Sequence, residues 1–189
     1  MIKSLLIWFV SVISLVPWWL MVFHACVKNG YKALSYFIYV SIVPLAVGVA
    51  YYLFHHSYIL FSYQFSENFF FKCLGVMFFM VVMVMDFQVM KMLGLKRLAM
   101  LPEFTREQGP KTFVAQGVYK YCRHPRYVEY MLVSLSVGLF FGYAFFIYFF
   151  VYLIFSFWLA TELEEAELVD HFGESYRDYQ KQVRRFFII

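Results

Sequence analysis

Thirty-two consecutive residues, Tyr130 to Thr161, carry no charged side chain. At 1.5 Å per residue one helix of that length would run roughly 48 Å, well past a ~30 Å hydrocarbon core. Gly138 and Gly142 stand inside the run and supply turn residues. Two tilted helices in a hairpin fit the length better than one straight helix. A hairpin returns the chain to the side it left. The run Arg123-His124-Pro125-Arg126-Tyr127 on one flank and Glu164-Glu165 on the other then meet at a single membrane face.

The rest of the chain supports a membrane setting. Of the 189 residues 63% are hydrophobic, against about 45–50% in a soluble domain, so too few polar side chains remain to cover a water-facing globule. Leu5 to Phe23 and Leu34 to Phe54 are uncharged, the first with Pro17 as a candidate kink, the second with Pro44 and Gly48 inside. Phe69 to Val89 is a third apolar run, interrupted by Lys72 and Asp86 near its ends. These runs predict an all-α polytopic membrane helix bundle of about five transmembrane helices, the last two as a hairpin, plus a cytosolic C-terminal helix. Residues 1–189 form one integral membrane domain: 1–90 hold three N-terminal spans, and 91–189 hold a polar loop, the hairpin and the tail. The apolar N-terminus lacks a small-residue cleavage site and reads as a retained helix.

The positive-inside rule orients the bundle. Eight of the sixteen Lys and Arg lie between Lys91 and Arg126, and Arg177, Lys181, Arg184 and Arg185 lie in the tail. The segment His55 to Asn68 has no Lys or Arg. Five spans with the C-terminus in the cytoplasm satisfy this, with Lys3 the one basic residue misplaced. A single last span would put two basic segments on opposite faces.

Polar groups then converge at the cytoplasmic boundary: Arg123, His124, the Glu162–Glu167 cluster, Asp86 and His24. Proline suits the first turn of a helix, so Pro125 opens span four and holds His124 at the helix mouth. Glu162 and Glu165 share one helical face, Glu164 and Glu167 another. Glu129, one residue before the uncharged run, is costly in a membrane unless paired, with Arg123 or Arg126 as candidate partners. Plainer roles stand beside these: Arg123 and Arg126 as topology determinants, Glu162–Glu167 as a solvated helix face, Asp86 as a pair for Lys91 or a group reaching water. Cys26, Cys73 and Cys122 form no CxxC pair, and His24, His55, His56 and His171 have no ligand spacing, so no metal site is indicated. No GxG occurs, which removes the soluble dinucleotide fingerprint. The net charge of +4 follows membrane topology and gives no sign of nucleic-acid binding.

The order Phe113-Val114-Ala115-Gln116-Gly117-Val118-Tyr119, Arg123-His124-Pro125-Arg126-Tyr127, Glu164-Glu165 with Leu168, then Phe172-Gly173 and Tyr176/Tyr179 resembles the isoprenylcysteine carboxyl methyltransferase and phospholipid methyltransferase superfamily of integral membrane enzymes. The resemblance covers roughly Leu93 to Phe187. It implies S-adenosyl-L-methionine as methyl donor, bound on the cytoplasmic side by Lys111, Phe113, Val114, Tyr119, His124, Pro125, Arg126, Tyr127, Glu164 and Glu165. Glu164 would contact the donor's amino group. Arg123, His124 and Glu129 are the catalytic candidates. The partners implied are the bilayer and a lipophilic acceptor, and the displacement requires no metal.

Three positions depart from the family pattern. Glu129 stands where a small residue is common, Ala160 where prenylcysteine enzymes place an arginine near the substrate carboxylate, and Ile188 where a terminal proline is common. Ala160 weakens the case for a carboxylate acceptor and opens that for an amine or another lipid-borne nucleophile. Two other functions compete. A sterol-reductase-like NADPH enzyme would carry a different continuation after the Arg-His pair than Pro125-Arg126-Tyr127-Val128-Glu129. A non-catalytic membrane scaffold would have no need of an intact His124, Tyr127, Glu164 and Glu165.

Overall fold

The structure, a computed structural model, describes residues 1–28, 32–65, 68–98 and 113–187. The helices are α1 (Ile2–Ile13), α2 (Val16–Lys28), α3 (Lys32–His55), α4 (Tyr58–Phe61), α5 (Phe69–Leu98), α6 (Pro125–Phe141), α7 (Ala144–Phe172) and α8 (Glu174–Gln182), with a 3-10 turn at Gly117–Lys120. Ile2–Phe23, Phe69–Leu93 and Ala144–Phe172 are each long and apolar enough to cross a membrane. The apolar part of α3, Val40–His55, and the seventeen-residue α6 are shorter. Together they make the polytopic helical bundle that the hydropathy pattern predicts.

Neighbour packing runs from α5 to α6, from α6 to α7, from α7 to α2, and from both α1 and α2 to α3. The hairpin turns at Gly142, whose left-handed backbone (φ 71) ends α6. Beyond the turn, the Ala144 N–H donates to the Tyr63 carbonyl at 3.0 Å, and the Phe65 N–H to the Gly142 carbonyl at 2.9 Å. Lys3 sits over the Phe61 ring at 5.3 Å. The N-terminus, the 56–65 segment and the hairpin turn thus share one end of the bundle. Arg123 and the C-terminal residues share the other.

The first span is broken just before its proline. The break falls at Ser14 and Leu15, and Pro17 occupies the first turn of α2, where its missing N–H costs nothing. The freed Ser14 carbonyl accepts the Tyr152 hydroxyl at 2.9 Å, and that hydroxyl in turn accepts Trp18 Nε1 at 2.7 Å. Hydrocarbon offers no water to such a carbonyl, so α7 supplies the donor.

Helices α5 and α6 cross closely at Gly75. A Cβ there would lie 2.9 Å from both the Phe140 nitrogen and the Ser136 carbonyl oxygen, and the Ser136 hydroxyl donates to the Gly75 carbonyl at 2.8 Å. Small residues and a serine bond are what membrane helices use to approach one another. Because the obstruction is backbone, no rotamer change relieves it. Gly75→Ala is expected to cost about 1–3 kcal/mol, read as a lower thermal midpoint in detergent. An unchanged midpoint would mean that the crossing is loose.

The charged tail begins inside a membrane helix. Helix α7 runs unbroken past Thr161 to Phe172 and ends at Gly173, φ 62, after which α8 buries Tyr176 and Tyr179 one turn apart. The tail is therefore two helices and a short strap, where the sequence predicted one helix and a short end.

Candidate active site

Residues 122–124 enter the site outside regular structure, and Pro125 stands at the start of α6 with His124 as N-cap. The strap from Val183 to Phe187 runs beside them. The Arg123 N–H donates to the Arg184 carbonyl at 2.9 Å, the His124 N–H to the Arg185 carbonyl at 3.2 Å, and the Cys122 thiol to the Arg185 carbonyl at 3.3 Å. Burial pushes the Cys122 thiol up to about 12.

Glu165 is the centre of the network. Arg123 grips it with two parallel bonds, Nε to Oε1 at 2.8 Å and Nη2 to Oε2 at 3.1 Å. His124 Nε2 lies 3.0 Å from Oε1. Gln180 Nε2 and Arg185 Nη2 donate to Oε2 at 2.9 and 3.1 Å. The other Arg123 nitrogen donates to the carbonyls of Gln180 and Val183 at 2.9 and 2.6 Å. One carboxylate and one guanidinium thereby join α7, α8, the strap and the head of α6. Glu162 reaches the same Arg185, so the face shared by Glu162 and Glu165 closes on one cation.

Glu164 points another way. It accepts the Tyr127 hydroxyl at 2.8 Å and lies 3.4 Å from His124 Nδ1, with 28% of its side chain exposed. The rings of His124, Tyr127 and Phe157 stack in parallel, at centroid spacings of 5.5 and 4.5 Å. Burial pulls the His124 pKa down, but the charges and hydrogen bonds of Glu164 and Glu165 outweigh it, and the net direction is up. The stability this supplies is complete below the unfolded imidazole value of about 6.5 and is lost as pH rises through the raised native value. The thermal midpoint is expected to fall across that window. His124→Asn should flatten the profile, and an equal slope in that variant would refute the assignment.

Glu129, 4% exposed, lies on α6 among these groups. Its Oε2 is 3.9 Å from Arg126 Nε, while Oε1 has no hydrogen-bond partner among the described residues. Arg126 bonds the Tyr130 hydroxyl at 2.7 Å and approaches Asp86 at 3.9 Å. Of the two candidate partners for Glu129 the structure places Arg126 beside it, and the same Arg126, which the sequence reading did not pair with Asp86, stands beside Asp86 as well. Tyr119, buried in the 3-10 turn, accepts the Tyr179 hydroxyl on its carbonyl at 2.6 Å. The Phe113 ring packs on Phe172, Tyr176 and Tyr179, and Val114 lies against the core. Lys111, Ile188 and the His24 side chain lie outside the described residues.

The arrangement thus brings together Tyr119, Arg123, His124, Pro125, Arg126, Tyr127, Glu129, Glu164 and Glu165. Reading the sequence missed Gln180 on α8 and Arg185 and Phe186 on the strap, which complete the network. It also missed Phe157, although Phe157 stands seven residues before Glu164 and so on the same helical face.

Comparison with known proteins places this geometry. The chain is 36% identical over 73 residues to the protein-S-isoprenylcysteine O-methyltransferase of Mus musculus, and equally to that of Rattus norvegicus. The match covers 38% of this chain and 26% of each relative, so it spans about a quarter of their length. No solved structure matches. The family described as phospholipid methyltransferase matches residues 70–175, a segment that holds α5, the hairpin and both glutamates of the site. With more than half of its length so matched, the chain belongs to the phospholipid methyltransferase family.

Proposed function

We propose that this protein transfers a methyl group from S-adenosyl-L-methionine to a lipid or lipidated acceptor at the cytoplasmic membrane face. The observation that carries this is Glu164, a partly accessible carboxylate fixed by Tyr127 beside buried His124, inside the matched segment. The residues suit a cationic donor. Glu164 and Glu129 present carboxylates to its positive charges, one Glu129 oxygen is buried without a partner among the described residues, and the rings of Tyr119 and Tyr127 give apolar walls. When bound, S-adenosyl-L-methionine supplies an electrophilic sulfonium methyl and departs as a neutral thioether.

The protein's work is then to bind, align and exclude water. Glu164 takes the donor's amino group. Arg123 holds Glu165, and Glu165 holds His124, so these two act as positioning residues behind the contact surface. A nitrogen acceptor forms its N–C bond with its lone pair while the C–S pair returns to sulfur, and it sheds a proton. Glu129 is placed to receive that proton. Ala160, 2% exposed, offers no cation to a substrate carboxylate, which favours the amine. The cytoplasmic side follows from the basic residues of 91–126 and the tail.

Equilibrium binding to the full chain in detergent tests this. S-adenosylmethionine and S-adenosylhomocysteine should bind in the micromolar range, and NADPH should not. Glu164→Ala removes a charge-assisted contact worth about 1.5–3 kcal/mol and should weaken both by roughly ten- to a hundred-fold in a preparation that circular dichroism shows folded. NADPH binding alone would favour a reductase. No binding by a folded preparation would end the methyl-transfer reading.

A further inference from the structure

A cavity of about 420 Å³ opens between the strap, the end of α8 and α7. Four cationic side chains line it, Arg123, Lys181, Arg184 and Arg185, and no acidic one does. Trp158 forms its apolar wall, with the Arg185 guanidinium 4.9 Å over the ring. Among the described residues none of the methyl-donor candidates lines this space, and of the catalytic candidates only Arg123 reaches it.

The charges around it do not balance. Arg123 and Arg185 both bind Glu165, and Arg185 also binds Glu162. Lys181 is paired with Asp178 at 2.8 Å. Arg184 is exposed and makes no ion pair among the described residues, so the three arginines and two glutamates leave one cation over. The indole N–H of Trp158 likewise has no acceptor among the described residues. Trp158 stands one helical turn before Glu162, where the uncharged run of α7 ends. The end of an uncharged run is where a helix reaches the headgroups, and tryptophan concentrates there.

We propose that this cavity binds the phosphodiester of an anionic membrane lipid. A phosphodiester carries the single negative charge the cluster lacks. Its oxygens suit the fork of Arg184 and the Trp158 N–H, and the acyl chains would lie along α7. The site is separate from methyl transfer and does not rest on it. By holding the strap down, the lipid would tie closure of the Arg123–Glu165 network to the presence of an anionic leaflet.

Native mass spectrometry of the full chain in detergent, offered equal phosphatidylglycerol and phosphatidylcholine, tests the proposal. Phosphatidylglycerol should be retained preferentially. Removing the two exposed cations of the lining by Lys181→Gln with Arg184→Gln should cut its retention about twenty-five-fold, at about five-fold per cation. Arg184→Lys should restore most of what the Arg184 change loses. Both side chains are exposed, so the thermal midpoint and S-adenosylmethionine binding should stay at parent values and separate this result from any failure of the donor site. Equal retention of the two lipids, or undiminished retention by the double variant, would overturn the proposal. So would displacement of the lipid by millimolar inorganic phosphate, which would assign the site to a soluble anion.

Discussion

Glu165→Ala is expected to lower stability by roughly 3–5 kcal/mol, the largest effect of any single polar substitution in the chain. The carboxylate is 5% exposed and gathers donors from Arg123, His124, Gln180 and Arg185. Its loss leaves two guanidinium groups and an imidazolium facing one another across a water-poor pocket. That mutual repulsion, more than the missing bonds, sets the size of the effect. Cys122 is a built-in reporter. Its thiol is fully buried and rests on the Arg185 carbonyl, so it should resist alkylation until the site opens. In the parent, labelling should follow global unfolding. In Glu165→Ala it should proceed at temperatures where the helices persist by circular dichroism. A loss under about 1 kcal/mol, typical of solvent-exposed pairs, would mean that water carries these charges and that the hub is not a hub.

Phe186→Ala is the second. The side chain is 6% exposed and meets His124 edge-on and Trp158 at a tilt, at 6.4 and 6.3 Å between ring centroids. Truncating a buried phenylalanine costs about 3–5 kcal/mol. Here the cost should appear as local release of the strap, since few other apolar contacts hold it. Trypsin reports this directly, because Arg184 and Arg185 precede the ring. Cleavage there should be slow in the parent and roughly a hundred-fold faster in the variant, the fold-change of about 3 kcal/mol. Equal cleavage rates would show that the backbone bonds to Arg123 and His124 suffice without the aromatic anchor.

Much of this architecture was legible in the sequence because membrane spans obey few rules. A charge-free run too long for one crossing had to double back, and Gly142 marks where it does. The meeting of the Arg123–Tyr127 run with Glu164-Glu165 followed from that fold alone. The division of labour between the two glutamates was not legible. Adjacent helical residues point about 100° apart, so Glu164 and Glu165 serve different neighbours, and only the packing of α8 and the strap decides which. The roles of Gln180, Arg185 and Phe186 were hidden for a related reason. Gln180 is one of several polar residues on α8, Arg185 and Phe186 lie outside regular helix, where periodicity carries no signal, and two basic residues near a membrane end look the same whether they orient the chain or close its site. The partner of the freed Ser14 carbonyl was hidden too, because it is a tyrosine hydroxyl from a helix far along the chain.

The strap has a consequence for how the protein is made. Spans form in order as the chain is synthesised, and α1 to α6 can pack while the rest is still emerging. Yet the carbonyls that hold Arg123 and His124, and the ring that covers them, belong to residues 184–186. Until those residues are synthesised, a buried arginine and a histidine wait at the membrane surface with half their partners missing. A ribosome that stalls short of Phe186 therefore leaves an inserted bundle whose polar site stays open, and quality-control proteases would meet it as an exposed, charged defect.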